Sequence, residues 1–402
     1  MSTLNQAILG IGRGRDRLDR FIKRLDRLEY GSLELRIGGR SFTLNGEHLG
    51  PAGCIEIRHM DSVLRRLLLK GDLGLAEAYI DGAWSSPDLT GLLLLLARNQ
   101  HRLADLAGRS RLVRLLMRVY HWSRRNSPAG SARNIQAHYD LGNAFYAQWL
   151  DSSMTYSSAI FSHPDESLES AQEHKYLRLL DLLEVKPGQR ILEIGCGWGG
   201  FAVTAARQGI DVDGVTLSPS QLTWAQRRID SLNLGDRVRL SLEDYRNLQG
   251  RYDHIVSIEM FEAVGEAYWS TYMEILMRLL KPGGRAALQV ITIDESAFDN
   301  YRRNPDFIQR YIFPGGMLPT VSHLQGLARA AGLRCLDDAG FGAHYAETLR
   351  RWHDSFSRQS TTLALAYDES FLRMWSYYLS YCEAGFRTGH IDLHQSLFEN
   401  PG

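Results

Sequence analysis

The stretch VKPGQRILEIGCGWGGF at 185–201 constrains the fold more than any other part of this chain. Ile191, Leu192 and Ile194 form the short apolar run of a parallel strand covered on both faces, with Glu193 as its polar exception. Gly195, Gly197 and Gly199 follow at once, and glycines so spaced permit a tight turn against a ligand before a helix begins. The pattern continues downstream. GVTLS at 214–218 reads as the end of the next strand, EDYR at 243–246 as the following loop, and YDHIVSIEM at 252–260 as a further buried strand. Strands near Arg190, Val212, Val238, Ile255 and Ala286 thus alternate with helical segments, the last entered through the turn Pro282, Gly283, Gly284. This alternation predicts an α/β unit with a doubly wound sheet and a ligand site beyond the carboxyl ends of its strands.

Two nucleotide-like cofactors compete for such a turn. A nicotinamide site calls for GxGxxG and an acid about 20 residues on, at the end of the next strand. Gly200 leaves the glycine spacing ambiguous, but Thr216 stands where the ribose-binding acid belongs. Glu193, just before the glycines, occupies the place where class I S-adenosylmethionine (SAM) methyltransferases keep an acid facing the amino acid moiety of their cofactor. The region therefore resembles that class, with a Rossmann-like sheet. The bland alternative is a glycine turn that binds nothing.

At 402 residues the chain is long enough for two domains. A smaller α+β domain is expected over 1–125, with possible lipid-surface and dimer contacts, and a catalytic domain over 126–402, the boundary falling at the loop sequence NSPAGSA. In the first, LELRIGG and RSFTLNG alternate around a glycine pair and predict a hairpin, and DSVLRRLLLKGDLGLAEAYIDGAW predicts helices broken at Gly71 and closed by Gly82. Lys plus Arg and Asp plus Glu both number 46, so no net field draws the chain to nucleic acid or membrane. Local excess exists: seven basic residues from Arg13 to Arg27 and seven from Arg102 to Arg125. The second set surrounds Leu112, Leu115, Leu116 and Val119 at helical spacing. That is either an ordinary surface helix or one that meets anionic headgroups, and the sequence leaves both open. Cys54, Cys196, Cys335 and Cys382 show no metal spacing, which points to a reducing compartment and no metal site. With no apolar signal core and no run of ~18 apolar residues, a cytoplasmic protein is expected, peripheral to the inner leaflet at most.

After the last parallel strand, 294–319 contains FDNYRRNPDFIQRYIFPGGMLP. Phe298, Tyr301, Phe307, Tyr311, Ile312, Phe313 and Met317 must bury apolar surface somewhere, as a lid over an apolar ligand or as a satellite core. The position beyond a strand's carboxyl end favours the lid.

The segments HYDLGNAFYAQWLDSSMTYSSAIF (138–161), EIGCGWGGFA (193–202), GVTLSPSQ (214–221), EMFEAVGEAYW (259–269), RYIFPGGMLP (310–319) and FGAHYAETLRRW (341–352) resemble, in order, the cyclopropane-fatty-acyl-phospholipid synthases. The resemblance implies SAM as cofactor, an unsaturated acyl chain of membrane phospholipid as substrate, and delivery of one carbon to its cis double bond. It also implies a homodimer working at a phospholipid surface. An isolated alkene is a weak nucleophile, so attack on the sulfonium methyl needs alignment and exclusion of water. Aromatic faces stabilise the resulting cation, and Tyr139, Phe145, Tyr146 and Tyr156 are candidates.

The cation then loses a proton. In the family a bound bicarbonate takes it, held by a Cys, a Glu, a His, a backbone group at an Ile, and a Tyr. By motif position the Glu is Glu262, the Ile is Ile291 and the Tyr is Tyr345, while Ser158 stands for the Cys and Gln289 for the His. The histidine of the family's FEHVG is Ala263. Ser and Gln still bond an anion, and the YSSA form resembles relatives that yield methyl- or methylene-branched chains. For SAM, the resemblance places Tyr156, Ser157 and Glu193 near the methionine end, Gly195 and Gly197 under it, Thr216, Leu217 and Gln221 near the ribose and adenine, and Asp244 and Tyr245 beside the adenine. The rivals are a SAM-dependent methyltransferase of a small soluble acceptor and a SAM- or lipid-binding protein that has lost catalysis.

Overall fold

The computed structural model describes residues 28–103 and 141–402. The N-terminal arginine cluster, all of the second cluster except Arg102, the expected boundary loop at 126–132, and Tyr139 lie outside them.

The described residues divide into two compact units. One comprises those within Met1–Arg114 together with Asp368–Thr388, the other those within Leu115–Tyr367 together with Gly389–Gly402. This corrects the expectation that 126–402 is a single unit, because the helix Glu369–Arg387 packs with the first. There Arg373 Nε donates to the Tyr79 carbonyl at 2.6 Å and its Nη2 to the Trp84 carbonyl at 2.7 Å. Its guanidinium lies 4.1 Å from the Tyr79 ring centre. Contacts so far apart in sequence leave no periodic signal.

In the first unit β1 (Tyr30–Ile37) and β2 (Arg40–Asn45) form the expected hairpin. Gly38 and Gly39 turn it with φ of +54° and +78°, the left-handed pair that matches strand twist. β3 (His48–Ile57) pairs parallel to β1, and the short β4 (Trp84–Ser85) closes the order β2-β1-β3-β4. Leu33, Leu35, Ile55 and Ile57 are buried on this sheet, and Leu92, Leu93 and Leu95 of helix Leu89–Arg98, which packs on β3, are buried as well. The helices Met60–Lys70 and Asp72–Ile80 break at Gly71 as expected.

The second unit is built on a seven-stranded sheet. Its strands are β5 (Arg190–Ile194), β6 (Asp211–Thr216), β7 (Val238–Leu242), β8 (Tyr252–Ile258), β9 (Leu280–Ile293), β10 (Arg334–Gly340) and β11 (Ile391–Glu399). The order is β10-β11-β9-β8-β5-β6-β7, with β11 antiparallel to both neighbours and the five central and outer strands parallel. This is the expected α/β, class I methyltransferase arrangement. The order reverses between β5 and β8, so the crevice where open sheets bind ligands lies beyond their carboxyl ends. Ile191, Leu192, Ile255, Val256, Ala286 and Leu288 are fully buried, as the apolar runs require.

The insertion forms helix Glu295–Arg303 and a π-helical turn Ile308–Ile312. Phe298 and Met317 join the core beside Trp269 and Leu324, which removes those two from the expected lid. Phe307 and Ile312 are buried, while Tyr301, Tyr311 and Phe313 are half-buried. The segment passes close to the strand ends, with the Met317 N–H donating to the Glu262 carbonyl at 2.9 Å.

Candidate active site

β5 runs straight into the glycine turn. Gly195 and Gly197 have φ of +88° and +51°, and the Gly195 and Cys196 N–H groups both donate to the Val215 carbonyl, at 2.9 and 3.0 Å. A Cβ at Gly195 would press on the Met260 side chain at 3.1 Å, and its φ of +88° favours glycine. A Cβ at Gly197 would meet no atom of the described residues within 4 Å. Glu193 beside the turn is buried, and its Oε2 has no hydrogen-bond partner among the described residues. Burial pushes its carboxyl up to about 8, against the pull of Lys175. An orphaned carboxyl oxygen next to a glycine turn suits the amino acid end of SAM.

At the end of β6, Thr216 Oγ1 donates to Gln221 Oε1 at 3.1 Å and accepts from the Ser218 N–H at 3.1 Å. Ser218 caps helix Pro219–Ser231, and Leu217 is half-buried between them. Asp244 caps the short turn Tyr245–Asn247 and holds Arg246 through both carboxylate oxygens, at 2.8 and 2.6 Å. The Tyr245 ring belongs to the core, edge-on to Tyr272 at 5.2 Å, so any part it plays beside adenine falls to its backbone.

Ser157 enters a cluster that the sequence reading missed. Lys175 Nζ, fully buried, donates to Ser157 Oγ at 2.6 Å and to Gln172 Oε1 at 2.7 Å, and Gln172 Nε2 returns a bond to the Ser157 carbonyl at 2.8 Å. Burial lowers the Lys175 ammonium to about 7, opposed by the charges of Glu259, Asp151 and Glu193. The signal was legible: Ala171, Gln172, Lys175, Tyr176 and Leu179 make one apolar stripe on helix Leu168–Leu183, and a lysine inside such a stripe needs a partner.

The five residues assigned to bicarbonate split between two carboxylates. Ser158, Gln289 and Tyr345 converge on Glu259: the Ser158 N–H donates to Oε1 at 2.8 Å, Gln289 Nε2 to Oε1 at 2.8 Å, and the Tyr345 hydroxyl to Oε2 at 2.5 Å. Ser158 acts through its backbone, since its hydroxyl donates to the Ala159 carbonyl at 3.0 Å. This corrects the expectation that the hydroxyl replaces a thiol at the anion. Ile291, in contrast, donates its N–H to Glu262 Oε1. The other Glu262 oxygen, Oε2, is buried without a partner among the described residues.

Glu259 immediately follows β8 and has φ of +50°, a left-handed conformation that costs a non-glycine residue about 1–2 kcal/mol. Its N–H donates to the Gln289 carbonyl at 2.7 Å. Burial raises the Glu259 carboxyl, offset first by the Tyr345 hydrogen bond and then by the Lys175 charge. Glu262 is pushed up to about 8, by burial first and by the charge of Glu259 second. Two buried acids three residues apart are thus both raised, but Glu259 has three hydrogen-bond donors and the Lys175 charge to favour its ionised form, whereas Glu262 has one backbone donor. Sequence reading weighted Glu262 alone, although SIEMFE places Glu259 in the same apolar strand end.

Aromatic rings flank this cluster. Tyr156 is half-buried, with Tyr146, Trp149 and Trp352 at 5.3, 5.6 and 5.4 Å. Trp352 continues the chain of rings to Tyr345 at 6.1 Å. Phe145 is instead a core residue against Trp149, Phe356 and Tyr367. The assembly can hold a cationic cofactor, stabilise positive charge on aromatic faces and accept a proton on a desolvated carboxylate.

The sequence profile of the family described as mycolic acid cyclopropane synthetase matches residues 126–396. The tuberculostearic acid methyltransferase UfaA1 of Mycobacterium tuberculosis is 39% identical over 383 residues, covering 90% of this chain and 87% of that protein. The cyclopropane-fatty-acyl-phospholipid synthase of Escherichia coli K12 is 37% identical over 355 residues, covering 86% and 87%. The crystal structure of mycolic acid cyclopropane synthase CmaA1 complexed with SAH and CTAB superposes with a TM-score of 0.63 at 31% identity, covering 67% of this chain and 98% of that one.

Proposed function

This chain belongs to the mycolic acid cyclopropane synthetase family, and from that premise we propose that it transfers one carbon from SAM to the cis double bond of an unsaturated acyl chain in membrane phospholipid. It is a SAM-dependent enzyme of the lipid methyltransferase and cyclopropane synthase type. The observation that carries the proposal is the desolvated pair Glu259 and Glu262 at the switch point of the sheet, next to the glycine turn that receives SAM and flanked by aromatic rings.

When bound, SAM supplies a methyl group on a sulfonium. Glu193 and the turn at Gly195 and Gly197 hold its amino acid end, with Thr216, Gln221 and Asp244 toward the nucleoside. The half-buried Tyr156 and the rings around it would stabilise the positive charge that develops on the acyl chain, which lowers the barrier for an alkene to attack. Tyr301 packs on the core beside Phe298 and Met317, which leaves the half-buried Tyr311 and Phe313 as the apolar side chains of this segment that would keep water from the cation.

The site favours a methyl- or methylene-branched product over a ring. Ser158 and Gln289 support this, as does the methyltransferase name of the relative UfaA1. Loss of a proton from a neighbouring chain carbon gives the branch; loss from the incoming methyl closes the ring. Among the described residues no helix is long and apolar enough to cross a membrane. Access from the cytoplasmic bilayer surface, as a homodimer, completes the proposal. Incubation of the purified chain with SAM and vesicles of cis-monounsaturated phospholipid tests it. Mass spectrometry should show a gain of one CH2 in the acyl chain, and methylation of soluble acceptors alone would refute it.

A further inference from the structure

We propose that Glu259 is the resident carboxylate of this site: it fills the place the family resemblance gives to bicarbonate and itself accepts the proton released after methyl transfer. The inference rests on the one-carbon transfer proposed above and concerns how that reaction ends.

Three of the residues assigned to bicarbonate instead bond the two oxygens of Glu259, Ser158 through its backbone N–H at 2.8 Å, Gln289 Nε2 at 2.8 Å and the Tyr345 hydroxyl at 2.5 Å. They occupy three of about four acceptor positions of a carboxylate and leave one lone pair for a proton. The fourth group, the Ile291 N–H, is engaged by Glu262. Gln289 is also held from its far side. Its Oε1 accepts from Gln395 Nε2 at 2.8 Å, and both amides are fully buried, so its NH2 faces Glu259. A bicarbonate here would find its donors taken and would add negative charge to a desolvated pocket that already holds two carboxyls. The residues present therefore do not fit that ion.

Glu259 also sits at φ of +50°, where glycine is at ease and glutamate is strained. Strain retained at a site is a reason to look for a role. Glu262 is the less well supported carboxylate, since a single backbone N–H bonds it where three donors bond Glu259.

The step balances. The alkene π pair forms the new carbon–carbon bond to the methyl, and the sulfur–carbon pair returns to sulfur, giving S-adenosylhomocysteine. A carbon–hydrogen bond beside the cation then breaks, its pair forming the new double bond or the ring, and the proton goes to Glu259. Solvent takes that proton before the next turnover.

The test uses the full chain and its E259G and E259Q variants. Glycine suits the backbone at this position and uncovers the donors, whereas glutamine keeps the shape and removes the charge. Binding of 13C-bicarbonate, followed by NMR without lipid, should be absent in the wild type and saturable in E259G. Turnover on unsaturated vesicles in CO2-free buffer should be undiminished in the wild type. It should fall by about 100-fold or more in E259Q, with SAM binding retained. E259G should regain at least about tenfold on addition of bicarbonate or formate. Saturable bicarbonate binding by the wild type, loss of its activity without CO2, or wild-type turnover in E259Q would overturn the inference. If the wild type modifies no lipid, the functional proposal fails, and the NMR binding result still decides the place of Glu259.

Discussion

Gln289 on β9 and Gln395 on β11 face each other directly in the antiparallel register, and the buried Gln395 amide donates to Gln289 Oε1 at 2.8 Å. That bond fixes which end of the Gln289 amide meets Glu259. Gln395→Leu should let the Gln289 amide reverse and present its carbonyl to a carboxylate. We expect kcat to fall by about 10- to 100-fold, with SAM affinity unchanged. The orphaned Gln289 oxygen should cost about 1–3 kcal/mol of stability. Steady-state kinetics with calorimetry checks this, and an unchanged kcat would remove Gln395 as a positioning residue.

Glu262→Gln should be milder than Glu259→Gln. A carboxyl held protonated up to about 8 accepts from the Ile291 N–H and keeps a donor, and glutamine reproduces both. The same shift sets a pH dependence. The folded chain keeps this proton between the ordinary carboxyl value of 4.5 and about 8, whereas the unfolded chain releases it. The stability it contributes is full below the lower value and is lost as pH rises through the upper one, at up to about 1.4 kcal/mol per pH unit. The stability of the wild type relative to Glu262→Gln should therefore decline from pH 5 to pH 8 in urea denaturation. A constant difference would mean that Glu262 is ionised when folded.

Lys175→Met removes the buried cation that favours ionisation of Glu259 and Glu193. Without it both carboxyls titrate higher, so the acidic limb of the pH–rate profile should move to higher pH and turnover at neutral pH should fall. A lower rate with an unmoved profile would indicate a packing role only.

Gly195→Ala should destabilise the folded chain more than Gly197→Ala. At Gly195 the new Cβ meets Met260 at 3.1 Å and φ is +88°, outside the left-handed well. At Gly197 the Cβ meets nothing among the described residues within 4 Å and φ of +51° lies inside that well, leaving a backbone cost of about 1–2 kcal/mol. Urea denaturation ranks the two, and equal losses of stability would contradict the steric argument.

The parallel strands, the glycine turn and the Gly38–Gly39 hairpin were legible in the sequence because each depends on a local pattern: apolar runs, or glycine where φ is positive. The cofactor and bicarbonate assignments at 156–158, 193–197, 216–221, 244–245, 262, 289, 291 and 345 came from motif resemblance, and the fold gathers Ser158, Gln289 and Tyr345 as that resemblance implies. Their shared partner was not read. Glu259 lies three residues before the motif acid, and only the turn at the end of β8 and its positive φ aim it at those donors. Gln395 reaches the site through an antiparallel pairing across 106 residues, and helix Glu369–Arg387 joins the other unit through contacts more distant still. Spacing along the chain carries neither.

The most direct test of the central claim is proton NMR and mass spectrometry of the acyl chains from cis-monounsaturated phospholipid vesicles incubated with the purified chain and SAM. The account predicts a SAM-dependent gain of one CH2 at the double bond, with vinyl or methyl-branch proton signals. Unmodified acyl chains while SAM is consumed on a soluble acceptor would contradict it.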